Sequence, residues 1–122
     1  MIRVYVAGPY SASNVITVLD NIRNGMALSK DVFLAGFAPF CPWLDYHFTL
    51  QLREGEKLTI EDYYNYSMAW LEASQAILVL PNWEGSNGTK AEMARARELN
   101  IPIFYTLESL VKWREDELLK KS

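Results

Sequence analysis

The sequence predicts a single α/β domain over residues 1–122, with a doubly wound parallel sheet of four or five strands of the flavodoxin or Rossmann-like type. Short apolar runs alternate with longer stretches in which apolar residues recur every three or four positions. Strands that alternate with helices form parallel sheets with helices on both faces. A chain of 122 residues, half of them apolar, has enough core for one such domain.

The first third of the chain contains two predicted strands and one long helix. Residues 2–7 are apolar and β-branched and end at Gly8, which is typical of a buried strand. A helical pattern begins near Ser13 and ends at Gly36, a residue suited to the position after a helix. Residues 37–40 predict a second strand at a sheet edge, because Pro39 lacks an N–H for a central ladder.

The remainder of the chain continues the alternation after an irregular aromatic segment at residues 43–58, where one helical turn is expected near 48–52. The pair Thr59 and Asp62 resembles a helix start. The elements that follow are a helix at 59–73, a strand at 76–80, a helix at 89–99, a strand at 102–106 and a charged amphipathic helix at 107–121.

The predicted topology brings two loops together. In the usual small layout the first strand lies beside the third, and ligands bind where the strand order reverses, at the carboxyl ends of those strands. The loops at that point are Gly8-Pro9-Tyr10 and residues 82–88. The sequence therefore predicts a ligand site between these loops.

The second of these loops has the composition of an anion site. Ser86, Asn87 and Gly88 offer a hydroxyl and free amides just before a helix whose positive dipole end favours anions. Glu92 follows in the first turn of that helix, beside the expected anion. The spacing from Thr89 to Glu92 also fits a capping box, in which the glutamate only caps the helix. Both interpretations of Glu92 stay open.

Composition excludes several classes of partner. A net charge of −3 provides no basic surface for extended DNA or RNA. The single cysteine, Cys41, excludes an internal disulfide and argues against a structural zinc site, and the single histidine, His47, cannot form a metal site alone. No stretch reaches the length of a membrane span. We expect a soluble cytoplasmic domain without a metal or another cofactor.

The aromatic content is high, with four tryptophans and seven tyrosines. These rings pack a core and a dimer interface, or line a pocket that stacks a base. Residues 62, 63, 66, 67 and 70 share one partly polar stripe of a predicted helix. Polar members of that stripe, such as Asp62 and Ser67, are candidates to face the ligand site.

Two motifs resemble the nucleoside 2-deoxyribosyltransferase superfamily. They are Val4-Tyr5-Val6-Ala7-Gly8-Pro9-Tyr10 and Leu78-Val79-Leu80-Pro81-Asn82-Trp83-Glu84-Gly85-Ser86-Asn87-Gly88-Thr89-Lys90-Ala91-Glu92. Within the superfamily the sequence looks most like the deoxynucleoside 5′-monophosphate N-glycosidases and their phage and bacterial relatives of unassigned function. The resemblance covers most of residues 2–106 and is weak over residues 43–62.

The resemblance implies an α/β enzyme that cleaves the bond between deoxyribose and base without a cofactor. Glu92 would be the nucleophile that attacks the anomeric carbon, and Tyr5 would orient its carboxylate. Ser86 would bind the 5′-phosphate, while Gly8 and Gly88 would offer backbone amides. The neighbouring residues Pro9, Tyr10, Asn87 and Ser67 complete the expected substrate-binding set. Family sites are often completed across a dimer, so a homodimer is expected.

The sequence departs from the family pattern at two acidic positions. Ser67 and Gln75 stand where family members carry aspartates, and a serine cannot protonate a leaving base near neutral pH. Asp62, Asp45 or His47 must substitute, or the base leaves without a proton from the enzyme. We therefore expect an N-glycosidase of nucleoside 5′-monophosphates, with a non-catalytic nucleotide-binding module as the alternative. A base-exchanging transferase is disfavoured, because the transferases place an aspartate at the position of Ser86.

Overall fold

A computed structural model describes residues 1–121 of the chain. The strands are β1 (Arg3–Ala7), β2 (Ala38–Phe40), β3 (Ala76–Val79) and β4 (Ile103–Phe104). The α-helices are α1 (Val15–Leu34), α2 (Tyr46–Gln51), α3 (Ile60–Glu72), α4 (Asn87–Glu98) and α5 (Leu107–Lys121). Two short 3₁₀ turns, Pro42–Asp45 and Trp83–Gly85, precede α2 and α4.

The four strands form one parallel sheet in the order β2-β1-β3-β4. β1 pairs with β3 from Val4 opposite Ala76 to Ala7 opposite Val79, so both strands end at the same level. This order confirms the predicted doubly wound sheet, with the first strand beside the third. It also confirms the edge position of β2, whose Pro39 needs no partner on its outer side.

Each face of the sheet packs against a different pair of helices. On one face Val4, Val6 and Leu78 form a core with Val32 of α1 and Leu110 of α5. On the other face Tyr5, Ala7, Ile77 and Val79 pack with Leu71 of α3 and with Met93 and Ala96 of α4. Alternation of side chains along β1 and β3 sends neighbouring residues to opposite cores, as a sheet covered on both faces requires.

Local capping sets the helix ends. Asn14 accepts the N–H of Thr17 and starts α1, and Gly36, with a φ of +94°, follows its end. Thr59 and Asp62 form the expected capping box at the start of α3, with hydrogen bonds of 2.7 and 3.1 Å.

The start of α4 differs from the prediction. The helix begins at Asn87, two residues before the expected start, because the Ser86 hydroxyl accepts the N–H of Thr89 and acts as the cap. Thr89 is therefore inside the helix and is not a cap residue, so the capping-box interpretation of Glu92 is wrong. Within residues 1–121 no helix combines the length and apolar content that crossing a membrane requires.

Candidate functional site

A cavity of about 320 Å³ opens at the carboxyl ends of β1 and β3. Tyr5 and Ala7 of β1 form its floor, and the following loop contributes Gly8 and Tyr10. Across β3, the first turns of α4 contribute Gly88 and Glu92. The sheet order thus brings the two loops predicted from the sequence to one cavity, of a size within the usual range for small-molecule pockets.

Hydrogen bonds link Glu92 of α4 to Tyr5 of β1, and Tyr5 to Ser67 of α3. The hydroxyl of Tyr5, a side chain that is 1 % exposed, donates to the Glu92 carboxylate. The Ser67 hydroxyl, from α3, in turn hydrogen-bonds the phenol oxygen of Tyr5. Burial raises the pKa of Tyr5 well above its ordinary value, helped by the nearby Glu92 charge. Tyr5 therefore keeps its proton and remains a donor to Glu92 throughout the neutral range.

Near neutral pH the Glu92 carboxyl is divided between its protonated and ionised forms. Loss of hydration in the cavity raises the pKa of its carboxyl from 4.5 to about 7, and the hydrogen bond from Tyr5 opposes part of that rise. A carboxylate in this state is weakly hydrated and held in one orientation, which are the properties of a nucleophile or a base.

A second carboxylate lies in the cavity wall, on the 3₁₀ turn Pro42–Asp45. Asp45 is 6 % exposed, and its Oδ1 accepts the Tyr10 hydroxyl at 2.6 Å. Burial raises the pKa of Asp45. The Tyr10 hydrogen bond favours the ionised form and offsets only part of that rise, so the pKa stays above its ordinary value. Among the described residues that line the cavity, Glu92 and Asp45 are the two acids.

Aromatic side chains form most of the remaining wall. They come from the segment that leads into α2 and from the first turns of α3, and they are Trp43, Tyr46, Tyr63 and Tyr64. Thr49 of α2 and Tyr63 of α3 share a hydrogen bond, which joins the two helices across this side of the cavity. Flat aromatic walls beside polar groups are suited to stacking a planar ring.

The Gly8-Pro9-Tyr10 loop is held by contacts that explain its sequence. A Cβ at Gly8 would lie 2.4 Å from Leu80 Cδ1, so the strand end needs glycine to pack there. The Pro9 carbonyl accepts the indole N–H of Trp43 at 3.0 Å, and the Tyr10 carbonyl accepts the Asn21 amide at 3.0 Å. Pro9 therefore supports the cavity wall through its carbonyl and is not itself part of the lining.

The start of α4 retains free hydrogen-bonding capacity. Ser86 Oγ accepts both the backbone N–H and the hydroxyl of Thr89, at 3.1 and 2.8 Å, so its own proton is available to a ligand. The amides of Asn87 and Gly88 are the first two of the helix and have no carbonyl one turn earlier to bond. Of these three residues, Gly88 lines the cavity, while Ser86 and Asn87 lie beside it in sequence.

The cavity lining does not include two of the three candidate acids, Asp62 and His47, nor Gln75, one of the two departures from the family pattern. Asp62 is exposed, and its carboxylate accepts the Thr59 N–H; this contact lowers its pKa, which makes it a poor proton donor. His47 points to solvent on α2. Gln75 precedes β3, and its side chain accepts the Arg3 N–H at the amino end of the sheet, opposite the cavity. Of the proposed substitutes, only Asp45 lies in the cavity wall.

Several lining residues had no clear signal in the sequence. Ser11, Tyr46, Thr49, Ile60 and Met68 line the cavity although no motif marks them. Trp43 was noted only as part of an aromatic segment. A glycine inside a predicted helix, Gly25, is the sequence feature that could have indicated where the Trp43 ring packs. A Cβ at Gly25 would clash with that ring, so α1 needs a glycine there to admit the indole.

The chain matches the family model DUF4406, a domain of unknown function, over residues 2–105, and it belongs to that family. The match includes all four strands, α1 to α4 and the whole cavity lining. The cavity therefore lies within the matched region of this chain, whereas α5 lies beyond it. No curated protein matches the chain.

Proposed function

We propose that this protein is an N-glycosidase that hydrolyses the bond between base and sugar in a nucleoside 5′-monophosphate. The observation that carries the proposal is the position of Glu92. Its carboxylate lies in a cavity at the switch point of the sheet, is oriented by a permanently protonated Tyr5, and has a pKa of about 7. Such a carboxylate fits the role of the nucleophile that the sequence motifs imply.

The cavity offers a place for each part of the nucleotide. The start of α4 suits the phosphate, because the Ser86 hydroxyl and the Gly88 amide are available and the helix dipole favours an anion. The sugar then lies over Glu92, with its anomeric carbon facing the carboxylate. The base extends toward the aromatic wall and Asp45.

The chemistry would proceed in two displacements. An oxygen of ionised Glu92 attacks the anomeric carbon, the carbon–nitrogen bond breaks, and its electron pair leaves with the base, which takes up one proton. Water then attacks the same carbon of the glycosyl ester and releases the sugar phosphate and the Glu92 carboxylate, while the proton of the water passes to solvent. The sequence of steps is that of a retaining glycosidase.

The proton for the leaving base is the weak point of this site. Ser67 is engaged with Tyr5. Burial raises the pKa of the Asp45 carboxyl overall, but Tyr10 donates to its Oδ1, and this hydrogen bond opposes protonation of Asp45. Solvent is then the proton source, and the absence of a positioned acid costs roughly 10²–10⁴-fold in rate. We expect slow turnover, favoured for bases that leave readily.

The test is release of free base from a panel of ribo- and deoxynucleoside 5′-monophosphates, followed by chromatography. Glu92→Gln should remove the activity, and Glu98→Gln, on the exposed side of the same helix, is the matched control. Base release by the wild type that Glu92→Gln leaves unchanged would contradict the proposed mechanism.

The alternative is a module that binds a nucleotide without cleaving it. Apart from the proposed nucleophile, Asp45 is the one carboxyl of the described cavity lining, and the Tyr10 hydrogen bond opposes its protonation. This weak supply of a proton for the leaving base favours the binding function. Calorimetry separates the two possibilities: binding of a monophosphate without any product after prolonged incubation would identify a binding module. A transferase is the third and weakest possibility, because Ser86 replaces its aspartate.

We also propose that the protein forms a homodimer in the cytoplasm. Beside the cavity Phe48 and Trp70 are 50 and 48 % exposed and belong to a cluster of rings with Phe40 and Tyr66. Trp43 of the same aromatic segment is buried within the chain and does not contribute to this surface. Sedimentation analysis of wild type and Trp70→Glu tests the dimer, since a charge on this surface should shift the protein to monomer.

A further inference from the structure

One carboxylate oxygen of Asp45 has no hydrogen-bond partner among the described residues. Tyr10 donates to Oδ1 at 2.6 Å, and within residues 1–121 no other group donates to this side chain. No fully buried side-chain oxygen of the described chain lacks a hydrogen bond, so Oδ2 keeps accessible surface. Because Asp45 lines the cavity, that surface faces the cavity interior. A largely buried carboxylate oxygen in this position calls for a donor from a ligand.

The surroundings of Asp45 indicate which part of a ligand it meets. It lies among the aromatic side chains Trp43, Tyr46 and Tyr63, which suit a planar heterocycle. In the proposed function, on which this inference rests, the sugar lies at Glu92 and the phosphate at the start of α4. The base is then the part of the nucleotide that reaches Asp45.

We infer that Asp45 selects nucleobases that carry an exocyclic amino group, by accepting one of its N–H bonds on Oδ2. An ionised carboxylate accepts hydrogen bonds and donates none, so a carbonyl at the same position of the base would meet a negative oxygen. Tyr10 cannot relieve that repulsion, because its proton is committed to Oδ1. With one free oxygen the site recognises a single amino group.

Two matched pairs of nucleotides test the inference. Cytidine and uridine 5′-monophosphates differ by a 4-amino against a 4-carbonyl group, and the adjacent ring N3 carries a proton only in uridine. Adenosine and inosine 5′-monophosphates differ in the same way at C6 and N1, so tighter binding of a carbonyl member would mean that Asp45 accepts the ring N–H instead. Calorimetry at pH 8 with Glu92→Gln, which holds the ligand uncleaved, measures all four. The amino member of each pair should bind about 10- to 100-fold more tightly, as for a hydrogen bond to a charged group.

Asp45→Asn in the same background supplies the second comparison. Its amide can turn either a donor or an acceptor toward the base, so the ratio within each pair should fall to about threefold or less. Asp116→Asn, on the exposed side of α5, is the matched control and should keep the ratio. A cooperative melting transition would show that Asp45→Asn is folded. If this variant does not fold, the affinities of the two nucleotide pairs for the protein with Asp45 present test the inference by themselves.

Each outcome has one meaning. Equal affinities within both pairs, or tighter binding of the carbonyl members, would overturn the inference while leaving the proposed function standing, since nucleotides still bind. A preference that persists in folded Asp45→Asn would also overturn it. Failure of all four nucleotides to bind would overturn both the inference and the proposed function.

Discussion

Replacing Glu92 by glutamine should stabilise the protein at alkaline pH. The carboxyl has a pKa of about 7 in the folded chain against an ordinary value of 4.5, because the cavity removes much of its hydration. The native state therefore binds more protons than the unfolded state between these values, and stability falls as pH rises through this window. Below pH 4.5 the penalty is absent, and above pH 7 it is constant.

The magnitude follows from the same two values. At about 1.4 kcal/mol per pH unit, the gap between 4.5 and about 7 corresponds to at most about 3.5 kcal/mol. Part of the free-energy cost of ionising the buried Glu92 is already present at pH 5, and water in the open cavity reduces the remainder. The advantage of Glu92→Gln over the wild type should thus grow by about 2 kcal/mol between pH 5 and pH 8.

Urea unfolding at pH 5, 6, 7 and 8 measures this difference. With a typical urea dependence for a small domain, 2 kcal/mol moves the midpoint by about 1 M. Glu98→Gln, which changes an exposed glutamate of the same helix, should show no such growth with pH. An advantage of Glu92→Gln that does not change with pH, or a lower stability of this variant at pH 8, would contradict the raised pKa of Glu92.

Three further perturbations have expected outcomes. Tyr5→Phe removes the hydrogen bond that stabilises ionised Glu92, so the pH midpoint of base release should rise by about one to two units; an unchanged midpoint would contradict the contact. Gly25→Ala places a methyl 2.1 Å from the Trp43 ring and should lower the unfolding free energy by about 1–3 kcal/mol in urea titrations, against little change for Gly85→Ala, which has open space. Ser86→Ala removes the cap of α4 and should cost about 1 kcal/mol of stability; it should also raise KM for nucleoside monophosphates without raising it for nucleosides, and equal changes for both would argue against phosphate binding there.

Local signals explain why most of the fold is predictable from the sequence. The periodicity of residues 15–34 and the apolar runs of β1 and β3 depend on neighbours within one element, and Pro39 marks the edge strand through its missing N–H. The switch-point rule then places the two loops at one cavity before any side chain is located.

The parts that could not be predicted depend on contacts between distant segments. One part of the aromatic wall comes from residues 42–51. The Trp43 indole fixes the position of this segment by bonding Pro9 and packing on Gly25, and neither contact has a periodic signature. The spacing of Thr89 and Glu92 allows a capping box at the start of α4, whereas the structure gives the cap role to Ser86, three residues earlier. Gln75 could have been excluded from the site, since a residue before a parallel strand lies at the end opposite its carboxyl terminus.

The central claim is that Glu92 forms a covalent bond to the anomeric carbon of a nucleotide. The most direct measurement is mass spectrometry of the protein, quenched in acid during incubation with the monophosphate that releases base fastest. This role of Glu92 predicts a sugar-phosphate adduct on the peptide that contains Glu92, and no adduct in Glu92→Gln. Base release without any adduct, together with an active Glu92→Gln variant, would contradict it.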